Sequence, residues 1–496
     1  MTGSMKTDII LVQPGPHRMQ LGGAILHLPL ALMSIAAWLR RGDEYGDRIR
    51  ILDMNIRRLS AGDFAEAGIV GITAITGHQI RYGLQAARLA REANPDALIV
   101  WGGVHPSLLP EQTIAHDLAD IVAVGEGERP FERIVEAHFN NRPLADIPGT
   151  CVLDDKGSAV FTPSDGFIDM NDLPLPAYDL VDVGEYRGIV YQFYYQSSRG
   201  CPFRCGFCYN TAFSGRKWRA KSAVKVVDEL SYLCGKYGVV NFAMVDDEFF
   251  IDVRRAEAVF KKIVDRKIRC GMIASCRLDI VRKFSDESLS IMKKAGVVQI
   301  FFGAESGSDK TLEYICKDIT REDIIEGARI VANAGIRPVL SFMSGFPGET
   351  SRMFEDTLDV IRELWALHPL VMVNGIFPFN AYPGTTLYGE SVGLGLEVPV
   401  KLDDWGSWTF QYEPDNPWLD SGMRRRIQIV FYIVRFKYYL TRYEDRYRDG
   451  IRVRLLRLLV LPLSLSAKIR MSRQWFWFAW EWRLFALLVR KTFGYL

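Results

Sequence analysis

Cysteine is scarce, with eight in 496 residues. Five of them, Cys151, Cys234, Cys270, Cys276 and Cys316, stand singly in apolar or strand-like surroundings. This excludes a disulfide framework and leads us to expect a reducing, cytoplasmic compartment. Long apolar runs are missing too. No stretch of about 18 uninterrupted apolar residues occurs, so a membrane-spanning helix is not expected. The opening MTGSMKTDIILVQPG lacks the pattern of a secretory signal, and its apolar part has the length of a strand. Charge of one sign is also lacking. The 61 Lys and Arg against 59 Asp and Glu leave a net charge of +2. That argues against a nucleic-acid partner. The chain is too long for one ordinary domain, so two or three are expected.

What is present is a rhythm of strands and helices. DIILVQPG, RIRILDMN, AGIVGITAIT, ALIVWGGVHPS and DIVAVGEGE are short β-branched runs ending in Gly, Asp or Pro. Helical stretches such as LPLALMSIAAWLRRG and QIRYGLQAARLAREANP separate them. Five such strands with crossover helices predict an α/β, doubly wound parallel sheet over residues 1–140. Its ligand belongs at the carboxyl ends of the strands. No G-x-G-x-x-G opens the first helix, which weakens a dinucleotide reading. Residues 141–190 read as a hairpin, DIPGTCVLDDKGSAVFTP, and a proline-punctuated linker. Over 191–400 the alternation returns, and six strands with six helices predict a partial (β/α)6 barrel. Residues 401–496 predict a C-terminal α-helical cap, basic and aromatic.

RGCPFRCGFCYN, from Arg199 to Asn210, sets Cys201, Cys205 and Cys208 in a CxxxCxxC spacing. A structural zinc site wants four ligands, often as CxxC pairs, and no nearby Cys or His offers a fourth. The other reading is a 4Fe–4S cluster held by three thiolates, with one iron left open. The motif follows YQFYYQSS at the mouth of the expected barrel, where chemistry belongs.

This motif at the first strand end resembles the radical S-adenosylmethionine (SAM) superfamily. AMVDDEFFID, ASCRLDIV, FFGAESGSDKTLE, FMSGFPGET and NAYPGTTLY follow in the family's order between Gln192 and Leu387. The resemblance implies a cluster on Cys201, Cys205 and Cys208, with SAM on the open iron. It implies a SAM-binding place for Phe207, just before the last cysteine. Asp247 or Glu248 would accept from the SAM ammonium, and Arg277 would meet the carboxylate or ribose. Glu305 would bond the ribose hydroxyls, with Gly303 and Gly307 allowing close backbone approach. Gly345 and Gly348 would face the adenine. The plainer readings are a solvated acidic turn for Asp247 and Glu248, and an exposed arginine for Arg277.

The preceding sheet, from Thr7 to Asn140, resembles the cobalamin-binding domain of B12-binding radical SAM enzymes. The resemblance implies a corrin over the carboxyl edge. Its contacts would be Thr73 and Thr76, Gly102, Gly103 and His105 of GGVHPS, and Gly125, Glu126 and Gly127 of VGEGE. The D-x-H-x-x-G motif is not kept. GPHRMQ has Gly15 for the Asp and Gln20 for the Gly, so His17 reads as a loop residue. The plainer reading is a flavodoxin-like fold without cofactor, or with a flavin or nucleotide.

These resemblances imply an enzyme with three cofactors: a 4Fe–4S cluster, SAM and cobalamin. The expected reaction is methylation of an unactivated carbon of a hydrophobic small molecule. Oxidative cyclisation, ring rearrangement, or a radical SAM enzyme with a cofactor-free docking sheet are the alternatives. An external one-electron reductant such as flavodoxin or ferredoxin is implied. No catalytic side chain is singled out. From Arg452 to Lys491 the chain carries nine Lys or Arg and one acid, and WFWFAWEW packs four tryptophans into eight residues. This reads as a cap that also touches the membrane headgroup region or a hydrophobic substrate, the plainer reading being a helical cap with its aromatics in the core.

Overall fold

The structure, a computed structural model, describes residues 9–16, 27–42, 44–186, 192–408, 416–447, 451–476 and 479–485. The first apolar runs become strands β1 (Ile9–Gln13), β2 (Ile49–Asp53), β3 (Ile69–Thr73), β4 (Leu98–Gly102) and β5 (Ile121–Ala123). They pair in parallel in the order β2-β1-β3-β4-β5. Their four- and five-residue apolar runs are buried on both faces, as parallel strands require. Helices Leu30–Leu39 and Glu128–Phe139 cover one face, and helix His78–Ala93 covers the other. The order reverses between β1 and β3, which opens a crevice at the carboxyl edge. The hairpin β6 (Thr150–Leu153) and β7 (Ala159–Thr162) adds antiparallel to β5 and extends this sheet.

The second unit holds β8 (Phe193–Tyr195), β9 (Ser198–Arg199), β10 (Arg219–Ala220), β11 (Asn241–Met244), β12 (Gly271–Ser275), β13 (Val297–Glu305), β14 (Arg337–Ser344) and β15 (Met372–Pro378). Six of them form a parallel sheet ordered β8-β11-β12-β13-β14-β15, the open partial barrel that the pattern predicts. β9 and β10 form a separate antiparallel ribbon. Polar caps start the outer helices. Ser222, Asp252, Thr320 and Thr350 each accept from an amide of the first turn that follows.

Helix Ser421–Tyr447 packs on β15, and helix Ile451–Arg473 follows it with Pro462 inside. Between barrel and cap, residues 399–408 return to the first sheet. Trp405 is fully buried there, its ring 5.2 Å from His105, and Asp403 pairs with His116 at 3.0 Å. Among the described residues no helix is long and apolar enough to cross a membrane.

Candidate functional site

The cysteine segment leaves β9 and re-enters the fold at β10, so the ribbon closes its base with Arg199 opposite Arg219. Gly200 joins ribbon to Cys201 at φ +83°, and a Cβ there would lie 2.0 Å from the Lys217 carbonyl oxygen. Only glycine fits that turn. The Gly200 amide donates to Asp247 Oδ2 at 2.8 Å. In mid-loop, Gly206 donates to the Ile315 carbonyl and accepts from the Leu387 amide, both at 2.9 Å. The Arg277 guanidinium lies over Phe203, 3.7 Å from the ring centroid, and points Nη1 at Cys205 Sγ across 3.8 Å. A loop held at so many points presents its three sulfurs in a fixed arrangement.

Burial pushes the Cys201 thiol up to about 11 and the Cys208 thiol up to about 12, and neighbouring cysteines oppose each other's ionisation. Three cysteines on one loop fit a thiolate-ligated cluster, whose iron would reverse the penalty on Cys201 and Cys208. Among the described residues no three His, Cys, Asp or Glu side chains close around a single metal ion. A one-ion zinc site needs that convergence.

The acids after β11 go three ways. Asp246 accepts from the Ser197 amide at 3.0 Å and hydroxyl at 2.8 Å, and so braces the ribbon. Asp247 is exposed and holds Gly200. Glu248 is buried, and burial pushes its carboxyl up to about 8. The Phe250 amide donates to it across a long 3.4 Å. A buried carboxyl so weakly bonded would ionise beside an ammonium group and accept from it.

Glu305 sits at the end of β13 with φ +62°, past a bulge in the pairing with β14. Its carboxylate accepts from Lys317 Nζ at 3.0 Å, and both side chains are buried. Burial opposes the Lys317 charge, but Glu305 and Cys205 together raise the ammonium pKa. A Cβ on Gly303 would lie 2.1 Å from Glu305 Oε1, so that glycine makes room for the pair. Gly307 serves packing instead: a Cβ there would meet Asp356 and Thr357 backbone at 2.6 and 2.7 Å.

Gly345 ends β14 at φ +89° and donates to Glu349 Oε2. Its carbonyl accepts from Trp418 Nε1 at 3.0 Å. Gly348 turns at φ +72°, and a Cβ there would have nothing within 4 Å. Phe207 faces Phe346 at 6.0 Å, Phe346 faces Phe379 at 5.0 Å, and Phe379 faces Trp418 at 6.3 Å. These rings build one apolar wall from the cysteine loop to the cap.

At the edge of the first sheet the candidates divide. Thr73 is half-buried at the end of β3. Gly103, at φ +92°, packs there, since a Cβ would lie 2.7 Å from Thr73 Oγ1. Gly125, at φ +84°, has nothing within 4 Å of its would-be Cβ, and a Cβ on Gly102 would make only ordinary contact with Ala123. Gly127 instead makes room for Ile35, since a Cβ there would lie 2.9 Å from Ile35 Cδ1. Thr76 and His105 lie below the surface, joined at 3.1 Å, and burial lowers the His105 ring to about 4. Arg199 and Arg219 take the carboxylate of Glu126. Burial thus holds Thr76 and His105, and ion pairing holds Glu126. His17 lies outside the described residues.

Several residues escaped the sequence reading. Lys317 and Glu349 carry no spacing signal. Asp246 shares its tripeptide with the two acids chosen. Arg199 lies two residues before Cys201 and Arg219 eleven after Cys208, so their pairing is a signal only once the ribbon is known.

Residues 24–135 match the B12 binding domain, and residues 195–361 match the radical SAM superfamily. The fold and the site therefore define an α/β enzyme class built on a corrin-type sheet followed by a partial barrel. The chain belongs to the cobalamin-dependent radical SAM enzymes, whose cofactors are a 4Fe–4S cluster, SAM and cobalamin. An uncharacterised methyltransferase of Pyrococcus horikoshii is 29% identical over 394 residues, 77% of this chain and 81% of that protein. The hopanoid C-2 methylase of Rhodopseudomonas palustris is 30% identical over 73% of this chain and 63% of its own length. The anaerobic magnesium-protoporphyrin IX monomethyl ester cyclase of Rubrivivax gelatinosus is 26% identical over 72% of this chain and 65% of its own. The chain thus spans less than two thirds of the last two. Among solved structures, the radical SAM methyltransferase TsrM of Kitasatospora setae shares the fold, with a TM-score of 0.65, 20% identity, and coverage of 78% and 76%.

Proposed function

We propose that the protein is a methyltransferase acting on an unactivated carbon of a hydrophobic small molecule. The observation that carries this reading is the placing of a three-cysteine loop against the carboxyl edge of the corrin-type sheet. When bound, the three cofactors supply a hydrogen-abstracting radical and a transferable methyl group. Cys201, Cys205 and Cys208 would hold the cluster. Glu248 would take the SAM ammonium and Glu305 the ribose, while Phe207 and Gly345 would flank the nucleoside. Arg277 would orient the cysteine loop through Cys205, so its part is positioning. Thr73, Gly102 and Gly125 would lie under the corrin. Phe207 and Trp418, backed by the buried Phe346 and Phe379, would exclude water and meet an apolar substrate.

Relatives named as hopanoid methylase and porphyrin ester cyclase favour a polycyclic apolar substrate. The cyclase relative also keeps oxidative cyclisation as a second reading. Electrons would come from an external one-electron carrier. Peripheral membrane contact is proposed as well. Leu461, Leu465 and Ile469 form one exposed helical face, and Trp480, Leu484, Lys468, Arg473 and Arg483 are exposed near it in sequence. Apolar residues interleaved with cations suit an anionic headgroup layer.

The experiment is anaerobic reconstitution followed by incubation of polycyclic lipids and tetrapyrroles with methyl-labelled SAM. Label in the product supports methyl transfer. Substrate turnover without label supports cyclisation. Cys205→Ala should lose the cluster and 5′-deoxyadenosine formation together. Unchanged formation in that variant would remove the cysteine loop from the site.

A further inference from the structure

Two arginines tie the base of the cysteine loop to the first sheet. Arg199 Nη2 donates to Glu128 Oε1 at 2.7 Å and to Ser34 Oγ at 3.2 Å, and Nη1 lies 3.5 Å from Glu126 Oε2. Its Nε donates to Gln196 Oε1 at 2.9 Å. Arg219 Nη1 donates to Glu126 Oε2 and to the Ile168 carbonyl, each at 3.1 Å, while Nη2 bonds Glu126 Oε1. The Arg219 guanidinium also lies 4.1 Å over the Phe167 ring. Glu128 is 2% exposed, accepts from Ser34 Oγ at 2.7 Å, and opens helix Glu128–Phe139, where the helix dipole favours an anion.

The positions of these four charges matter more than their number. Arg199 stands two residues before Cys201, and Arg219 stands opposite it across the ribbon. Glu126 lies between Gly125 and Gly127, in the loop that follows β5. Each end of the network is therefore within two residues of a proposed cofactor contact. Planar guanidinium forks fix direction as well as distance, which a single ammonium does not.

We infer that Arg199, Arg219, Glu126 and Glu128 are positioning residues that set the spacing between the cluster on the cysteine loop and the corrin on the sheet edge. The inference rests on the two cofactor sites proposed above. Spacing matters because radical and methyl group must reach one substrate atom, and a misplacement of about 1 Å can cost a hundredfold in rate.

The test uses the full chain, reconstituted with iron, sulfide and hydroxocobalamin. The variants are Arg199→Lys, which keeps the charge and loses the fork, and the double variant E126Q/E128Q. Electron paramagnetic resonance reads the relaxation enhancement of cob(II)alamin by the reduced cluster, normalised to corrin and iron content. The wild type should show one enhanced population, and both variants should lose or spread that enhancement. Hydrogen exchange of the apo chain provides the second readout, with faster exchange confined to Gly200–Tyr209 in the variants. Wild-type enhancement in the variants overturns the inference. So does exchange that rises evenly across both domains, as a plain domain adhesive would give. If the wild type takes up no corrin, the two-site reading fails. The exchange measurement still decides the clamp, because unchanged exchange over Gly200–Tyr209 would refute it. Should the double variant not fold, E126Q alone takes its place.

Discussion

At the residue scale, Glu305 combines a left-handed backbone with a buried ion pair. A non-glycine residue at φ +62° costs roughly 1–2 kcal/mol, and the Lys317 contact keeps it there. Glu305→Ala should weaken SAM binding while leaving iron content unchanged. Gly303→Ala should act in the same direction without removing any polar group, because its Cβ would fall 2.1 Å from Glu305 Oε1. Equilibrium binding of SAM to reconstituted protein checks both, and unchanged affinity in the pair removes Glu305 from the pocket. Glu349 gives a pH dependence. Burial pushes its carboxyl from 4.5 up to about 7, and Oε1 has no partner among the described residues. The folded chain then holds a proton that the unfolded chain has released. The group's contribution to stability is whole below 4.5 and is lost as pH rises through about 7. Relative to Glu349→Gln, the wild type should lose about 2–4 kcal/mol across that window. Urea unfolding of the apo chain at several pH values measures it, and parallel curves for the two proteins would contradict the assignment.

At the element scale, the loops after parallel strands do two different jobs with the same residue type. Gly103 and Gly125 both turn at positive φ, but one faces backbone and the other faces space. Gly103→Ala would drive a Cβ to 2.9 Å from the Ala74 carbonyl and 2.7 Å from Thr73 Oγ1. It should cost about 1–3 kcal/mol of stability, read as a fall in the thermal midpoint. Gly125→Ala has no neighbour within 4 Å, so it should cost only about 1 kcal/mol of backbone strain. Its methyl would stand where the corrin is proposed to lie, and cobalamin uptake measured by absorbance should fall while the fold persists. Full uptake by Gly125→Ala would move the corrin off this loop. The last strand loop shows the same economy: Thr385 caps helix Thr386–Gly393, and the Leu387 amide holds Gly206 of the cysteine loop.

At the scale of the whole molecule, the C-terminal cap divides between core and surface. Trp482 is buried against Phe436 and Phe485, and Arg470 is buried on Glu481. Trp480, by contrast, is 63% exposed. Exposed cations near an anionic surface contribute roughly 1 kcal/mol each and only within a Debye length, whereas the apolar face adds a contribution that salt does not screen. The full chain should therefore sediment with anionic vesicles more than with neutral ones. High salt should weaken this without abolishing it, and Leu465→Glu with Trp480→Glu should remove the residue that salt leaves. Indifference to both kinds of vesicle would make the cap purely structural.

Much of the architecture was legible because its signals are local. Strand runs such as ILVQ and LIVWG, the turn glycines and the CxxxCxxC spacing are properties of a few consecutive residues. Hydrophobic burial then permits few ways to cover strands that are apolar on both faces. The order of motifs along the barrel fixed the candidates Cys201, Cys205, Cys208, Glu248 and Glu305 in the same way. Partner choice between distant side chains was not legible. Nothing near Glu126 in the chain says that Arg199 and Arg219 will take its carboxylate. Nor does anything near His105 say that Trp405, 300 residues later, will bury it. Lys317 became visible only when β13 and the segment after Tyr314 met. Periodicity and spacing are written along the chain, but an ion pair or a desolvated ring depends on which surfaces close over it, and only the tertiary structure decides that.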